Sequence, residues 1–125
     1  MTISHATAVR KAIGDLVVDS FDESGPGSIV LLSSANDIVA TLTLAATACG
    51  NTADNGVATF NSITSDTNAV GGVIAKGEVR NGLGETKLYF SVTVTGGGGD
   101  LTFNNVTVAA GQTVAISGLS YTAPA

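Results

Sequence analysis

The sequence predicts a mostly β protein: an antiparallel β-sandwich or jelly-roll of about seven or eight strands behind one N-terminal α-helix. Three observations lead there. Helical spacing of apolar residues is confined to the first part of the chain, the apolar period changes to two after Gly27, and Gly/Asn/Asp turn signals then recur at near-regular intervals. A length of 125 residues fits one domain. The reading assigns residues 1–24 to a helix or arm and residues 25–125 to a single β unit.

Val9, Ile13, Leu16, Val17 and Phe21 recur along one helical face, with Arg10, Lys11, Asp15 and Asp19 on the other side. Thr2 or Ser4 is placed to cap the start, and the run from Asp22 to Gly27, which includes Pro26, ends the helix after roughly five turns. Gly14 inside the pattern costs about 1 kcal/mol relative to Ala, so the helix must lean on tertiary packing.

The apolar run Ile29 to Leu32 suits a buried strand. After the turn Ala35-Asn36-Asp37, Ile38, Ala40, Leu42 and Leu44 alternate with Val39, Thr41 and Thr43, which predicts a hairpin. The small polar stretch from Ala45 to Asn55 reads as a surface loop. Gly56 to Ile63 reads as a strand with Ala58 and Phe60 on one side, and 64–68 as a turn. Val73 to Arg80 alternates again, and Asn81-Gly82-Leu83-Gly84 is a strong hairpin signal. Lys87 to Thr95 follows, with Leu88, Phe90, Val92 and Val94 inward and Lys87, Tyr89, Ser91 and Thr93 outward. The glycine run 96–99 reads as a flexible loop. Two strands, Leu101 to Val108 and Gln112 to Ser117, flank the turn Ala109-Ala110-Gly111, and Leu119 to Thr122 is a last extended piece.

Composition excludes several classes. Charged residues make up 12% against 44% hydrophobic, too apolar for a disordered chain and about half the usual charged fraction of a soluble domain. A net charge of −5 and five scattered cations argue against nucleic acid as a partner. The apolar stretches are strand-length, which argues against a membrane span. One cysteine gives no internal disulfide, and the N-terminus has no secretory pattern, so synthesis in a cytoplasm is expected.

No catalytic constellation emerges, and no enzyme activity or cofactor is expected. The glycine run is followed by Asp100 and a strand, not by the Lys, hydroxyl and helix of a phosphate-binding loop. His5 is the only histidine and lacks a triad around it. Cys49 has no neighbour in sequence to lower its pKa and no His or Cys partners for a zinc site. Asp54, Asp66 and Asp100 fall in predicted loops and would supply oxygens for calcium if gathered at one end, yet nothing matches a calcium-loop pattern and such residues usually bond their own backbone. With no Trp and only Tyr89 and Tyr121, an aromatic-lined sugar cleft is hard to build.

Three stretches carry a resemblance: Ser4-His5-Ala6-Thr7-Ala8-Val9-Arg10 opening the helix, GVATFNSITSDT from Gly56 to Thr67, and AAGQTVAISGLSYTAP from Ala109 to Pro124. Together they resemble small structural virion proteins of tailed bacteriophages, of the head decoration or cement kind. The chain departs from that group at Thr47-Ala48-Cys49-Gly50, where a more aromatic loop is expected. The resemblance implies a non-enzymatic protein on the capsid surface of a virion, a homo-oligomer (a trimer favoured) that binds the major capsid protein. The helix residues Val9, Ile13, Leu16, Val17 and Phe21 are then candidate partner or oligomer contacts. A tail or fibre component, or an adhesive ligand-binding module, are the alternatives.

Overall fold

The computed structural model describes residues 6–50, 56–116 and 118–122. Helix α1 (Thr7–Phe21) precedes nine strands within them: β1 (Ser28–Leu32), β2 (Ile38–Thr43), β3 (Val57–Thr59), β4 (Gly72–Val73), β5 (Lys76–Arg80), β6 (Thr86–Val94), β7 (Leu101–Phe103), β8 (Thr107–Val108) and β9 (Ser120–Thr122). Five form a curled sheet in the order β2-β1-β5-β6-β7, and β3-β9 and β4-β8 form two small antiparallel pairs. The protein is mostly β with one helix, as the periodicity predicts.

The helix has 15 residues, about four turns and not five. Its N-cap is Ala6, whose carbonyl accepts from the Val9 and Arg10 amides at 3.0 Å, with no side-chain cap; Thr2 and Ser4 lie outside the described residues. The inward line is Gly14, Val18 and Phe21, one step round from the predicted face, because Gly14 presents no side chain to hold the helix off. Phe21 stacks on Phe60 with ring centroids 5.8 Å apart at 23°. This contact docks the helix's last turn beside β3.

The β1–β2 hairpin forms as predicted, with one correction. Leu31 pairs with Ala40 but Leu32 pairs with Ile38, so Val39 is the extra residue of a bulge. The bulge turns Val39 into the core and leaves Ile38 exposed, reversing the predicted alternation there. The Val39 carbonyl accepts from the amides of Val70 and Gly71 at 2.9 and 3.2 Å, tying the next loop to the sheet. β1 is buried along Ile29 to Leu32. Ile29 and Leu31 join the main core, while Val30 lies beside Glu78, whose Oε2 accepts from Arg80 Nε and Nη2 and from Thr86 Oγ1 at 2.8–3.0 Å.

β5 and β6 are joined through Asn81 to Glu85 and pair antiparallel. Leu88, Phe90 and Val92 contribute to the core, but Val94 is exposed, because β6 there has run past its last β5 partner. The sheet is not wholly antiparallel: β7 returns parallel to β6, Val92 opposite Leu101 and Val94 opposite Phe103. Parallel neighbours ordinarily need a long crossover. Here the glycine run makes a short one and is no slack linker. Gly96 and Gly98 adopt φ of 91° and 81°, and a Cβ on Gly97 or Gly99 would stand 2.8–2.9 Å from Thr93 side-chain atoms. Thr93 Oγ1 accepts the Gly99 amide at 3.0 Å, and Ser91 and Asp100 exchange further bonds across the loop.

Other predicted strands are shorter. Asn105 accepts the Thr107 amide in a local turn that separates β7 from β8. The segment from Gln112 holds one bridge, Val114 to Asp66, and Ser117 lies outside the described residues. The predicted turn at 64–68 is partly extended, with Thr64 bridged to Thr43, and only Asp66 to Asn68 turns. Val73 to Arg80 is split at Ile74 and Ala75 into β4 and β5. The predicted surface loop after Ala45 dips into the core at Ala48 and Cys49.

Gly27 closes the joint between these elements. A Cβ there would lie 2.3 Å from the Arg80 carbonyl oxygen, 2.7 Å from that of Phe21 and 3.3 Å from Leu44 Cδ1. Gly27→Ala therefore has to push backbone, not a side-chain tip, and is expected to destabilise the chain by about 3 kcal/mol. Urea unfolding checks this: the midpoint falls while the slope stays constant.

Candidate contact surfaces and polar clusters

The structure divides the five helix residues singled out above. Phe21 is wholly buried and Val17 packs against the core, while Ile13 is half-buried. Leu16 is 73% exposed and Val9 46% exposed, so these two form an apolar stripe on the side of α1 away from the core. Lys11 and Asp15 form an ion pair of 3.4 Å, four residues apart on another face of the helix. The helix is thus fixed by its C-terminal half and presents part of its predicted apolar face outward.

The candidate calcium carboxylates do not converge. Asp54 and His5 lie outside the described residues. Asp66 Oδ2 accepts the Thr41 amide of β2 and its Oδ1 the Asn68 amide, both at 2.9 Å. Asp100 Oδ2 accepts from the Ser91 amide and hydroxyl of β6 at 3.0 and 3.2 Å. Strands β2 and β6 are three positions apart in the sheet, roughly 14 Å. Among the described residues no group of three or more His, Cys, Asp or Glu is placed to hold a metal.

Cys49 is buried in the core, bridged to Phe60 just after β3. Its thiol is pushed from 9.0 up to about 12, first by burial and then by the nearby Asp22 carboxylate. Asp22 is held there by the Ala48 amide, which donates to Oδ1 at 2.9 Å. A thiol this poorly ionised is no nucleophile at neutral pH.

A cleft of about 360 Å³ opens between β6 and β9. Phe60, Phe90 and Tyr121 line it with Leu88 and Leu119, while Asp100 and Ser120 lie at its polar end. Phe90 reaches it by lying across Gly77, its cross-strand partner, where ring atoms occupy the space a Cβ would take. Tyr89 completes an aromatic lining of two tyrosines and two phenylalanines, and the phenylalanines are a contribution that a count of tyrosines misses.

The β5–β6 turn holds a second polar cluster beyond the hairpin role predicted for it. Asn81 is the one polar residue buried with the core among the described residues. Its Oδ1 accepts the backbone amides of Leu83 and Glu85, each at 3.0 Å. Those two donors fix which end of the amide is oxygen. Its Nδ2 donates to Glu85 Oε1 at 3.0 Å and to Glu23 Oε2 at 3.5 Å, and the same Glu23 oxygen pairs with Lys87 Nζ at 3.6 Å. The Gly82 amide donates to the Glu23 carbonyl at 2.9 Å, so the helix exit and the hairpin turn are stitched together twice. Glu23 escaped the sequence reading because its partners lie some sixty residues away in the chain.

No protein-family model, curated protein sequence or solved structure matches the chain.

The thiol shift gives a signed pH dependence. Between 9 and about 12 the unfolded chain releases a proton that the folded chain keeps at Cys49, so stability falls as pH rises through that window. Wild type is expected to lose more urea stability than Cys49→Ala between about pH 8 and 10. Native Cys49 is expected to resist alkylation near neutrality and to label fully once the chain is unfolded.

Proposed function

We propose that this chain is a non-enzymatic structural protein of a tailed-bacteriophage virion, a head decoration or cement protein that binds the major capsid protein and reinforces the shell. The observation that carries the reading is the apolar stripe of Val9 and Leu16, left in solvent on a helix already anchored by Phe21 on Phe60. Exposed apolar side chains on a rigidly docked element suit a contact surface. The low charged fraction, 12%, suits one as well, since charge is depleted at interface centres. The resemblance of the three sequence stretches to phage structural proteins supplies the assembly.

In this reading the chain acts as a homo-oligomer, a trimer, on the outer face of the head. The five-stranded sheet and the two small sheets serve as the two layers of a sandwich-like body that carries the helix. Cement action sums many weak contacts over a symmetric shell, so each contact is modest.

Co-sedimentation with purified empty heads tests the assignment: wild-type protein is expected to pellet with them, and failure to do so would sink it. Leu16→Glu, at an exposed position, is expected to weaken co-sedimentation at least about tenfold with an unchanged thermal melt. Light scattering is expected to return three times the 12.3 kDa chain mass.

A further inference from the structure

We propose that Lys87 and Asn81 are joined by an intramolecular isopeptide bond that forms spontaneously, with Glu23 as the proton shuttle. Such a reaction needs a nucleophilic amine, an amide carbonyl made electrophilic, a carboxylate that reaches both nitrogens, and a held geometry. The cluster at the β5–β6 turn brings the amine, the amide and the carboxylate together from two parts of the chain, the hairpin and the helix exit.

The electrophile is Asn81. Its side chain is 2% exposed, and its Oδ1 accepts two backbone N–H groups at 3.0 Å. Two amides aimed at one carbonyl oxygen polarise the Cγ–Oδ1 bond and stabilise the oxyanion that forms when a nucleophile adds to Cγ. The amine is Lys87 Nζ, and Glu23 Oε2 lies between it and the leaving nitrogen, 3.6 Å from Nζ and 3.5 Å from Asn81 Nδ2. Glu85 Oε1 accepts from the same Nδ2 at 3.0 Å and orients it.

The step balances without a co-reactant. The lone pair of the neutral Lys87 amine forms the Nζ–Cγ bond and the Asn81 carbonyl electrons move to Oδ1. Glu23 takes one proton from Nζ and delivers it to Nδ2. The carbonyl re-forms, the Cγ–Nδ2 bond breaks, and ammonia leaves; Glu23 ends as it began. Only the amine form of lysine attacks, so alkaline conditions favour the reaction.

The competing modification at an Asn-Gly pair, attack by the following amide nitrogen, is opposed here. That nitrogen is Gly82 N, whose hydrogen is engaged by the Glu23 carbonyl at 2.9 Å. The closed ring would span only residues 81–87, so its effect is to pin the β5–β6 turn, with a small gain in thermal stability.

Intact-mass measurement of the purified full chain, before and after prolonged incubation at about pH 9, tests the proposal. The expected result is a species about 17 Da lighter, the mass of ammonia, with one branched peptide joining Lys87 to Asn81 after digestion. Lys87→Arg and Glu23→Gln are expected to keep the full mass and a wild-type circular dichroism spectrum. Glu23→Gln keeps the shape and hydrogen-bonding reach of an exposed side chain, and so separates loss of the shuttle from loss of the fold. An unchanged mass in the wild-type chain overturns the proposal. So does a 17 Da loss that persists in Lys87→Arg, which would mark a succinimide at Asn81. Neither result bears on shell binding, on which the proposal does not rest.

Discussion

The close approach of backbone around Gly27 is the constraint on which the rest of the structure depends. The end of α1, the start of β1 and the end of β5 meet there, with carbonyl oxygens where any Cβ would stand. The Leu44 amide then donates to the Gly27 carbonyl at 3.0 Å, drawing the exit of β2 into the same joint. From this point Phe21 is carried onto Phe60, and the helix is set against β3. A helix with no side-chain cap and a glycine in its middle is weak alone. It stands because its last turn is locked into the sheet.

Acidic side chains serve the fold as pins between distant strands. Asp22 accepts an amide 26 residues on, Asp66 one 25 residues back, and Asp100 one 9 residues back. Glu78 gathers Arg80 and Thr86 on the face of the sheet beside Val30. Backbone amides left outside ladders need acceptors, and in a sheet this broken, carboxylates provide them. A chain with few charges sets Asp22, Asp66 and Asp100 to accept from its own main chain.

Local signals proved readable where they act locally. The helix, the β1–β2 hairpin and the turn at Asn81 follow from period and turn chemistry, and each is present. The bulge at Val39 is set by what the neighbouring loop needs from its carbonyl, which no alternation in the strand itself announces. The parallel return of β7 depends on Thr93 fitting beneath Gly97 and Gly99, a contact that composition presents only as slack. The candidate sites show the same division. The apolar helix face was legible, but which of its residues stay outside was decided by Gly14. Glu23, Asn81 and Lys87 come together only when the helix exit folds onto a hairpin far along the chain.

The glycine run also acts as a ruler. Side chains alternate along a strand, so the span of 95–100 fixes whether Leu101 and Phe103 or Thr102 face the core. Removing or adding one glycine shifts β7 by a single step and exchanges its two faces, whereas a change of two preserves them. Length in that loop is therefore expected to drift among related chains by pairs of residues, a parity rule imposed by pleat geometry on a segment that otherwise looks free to vary.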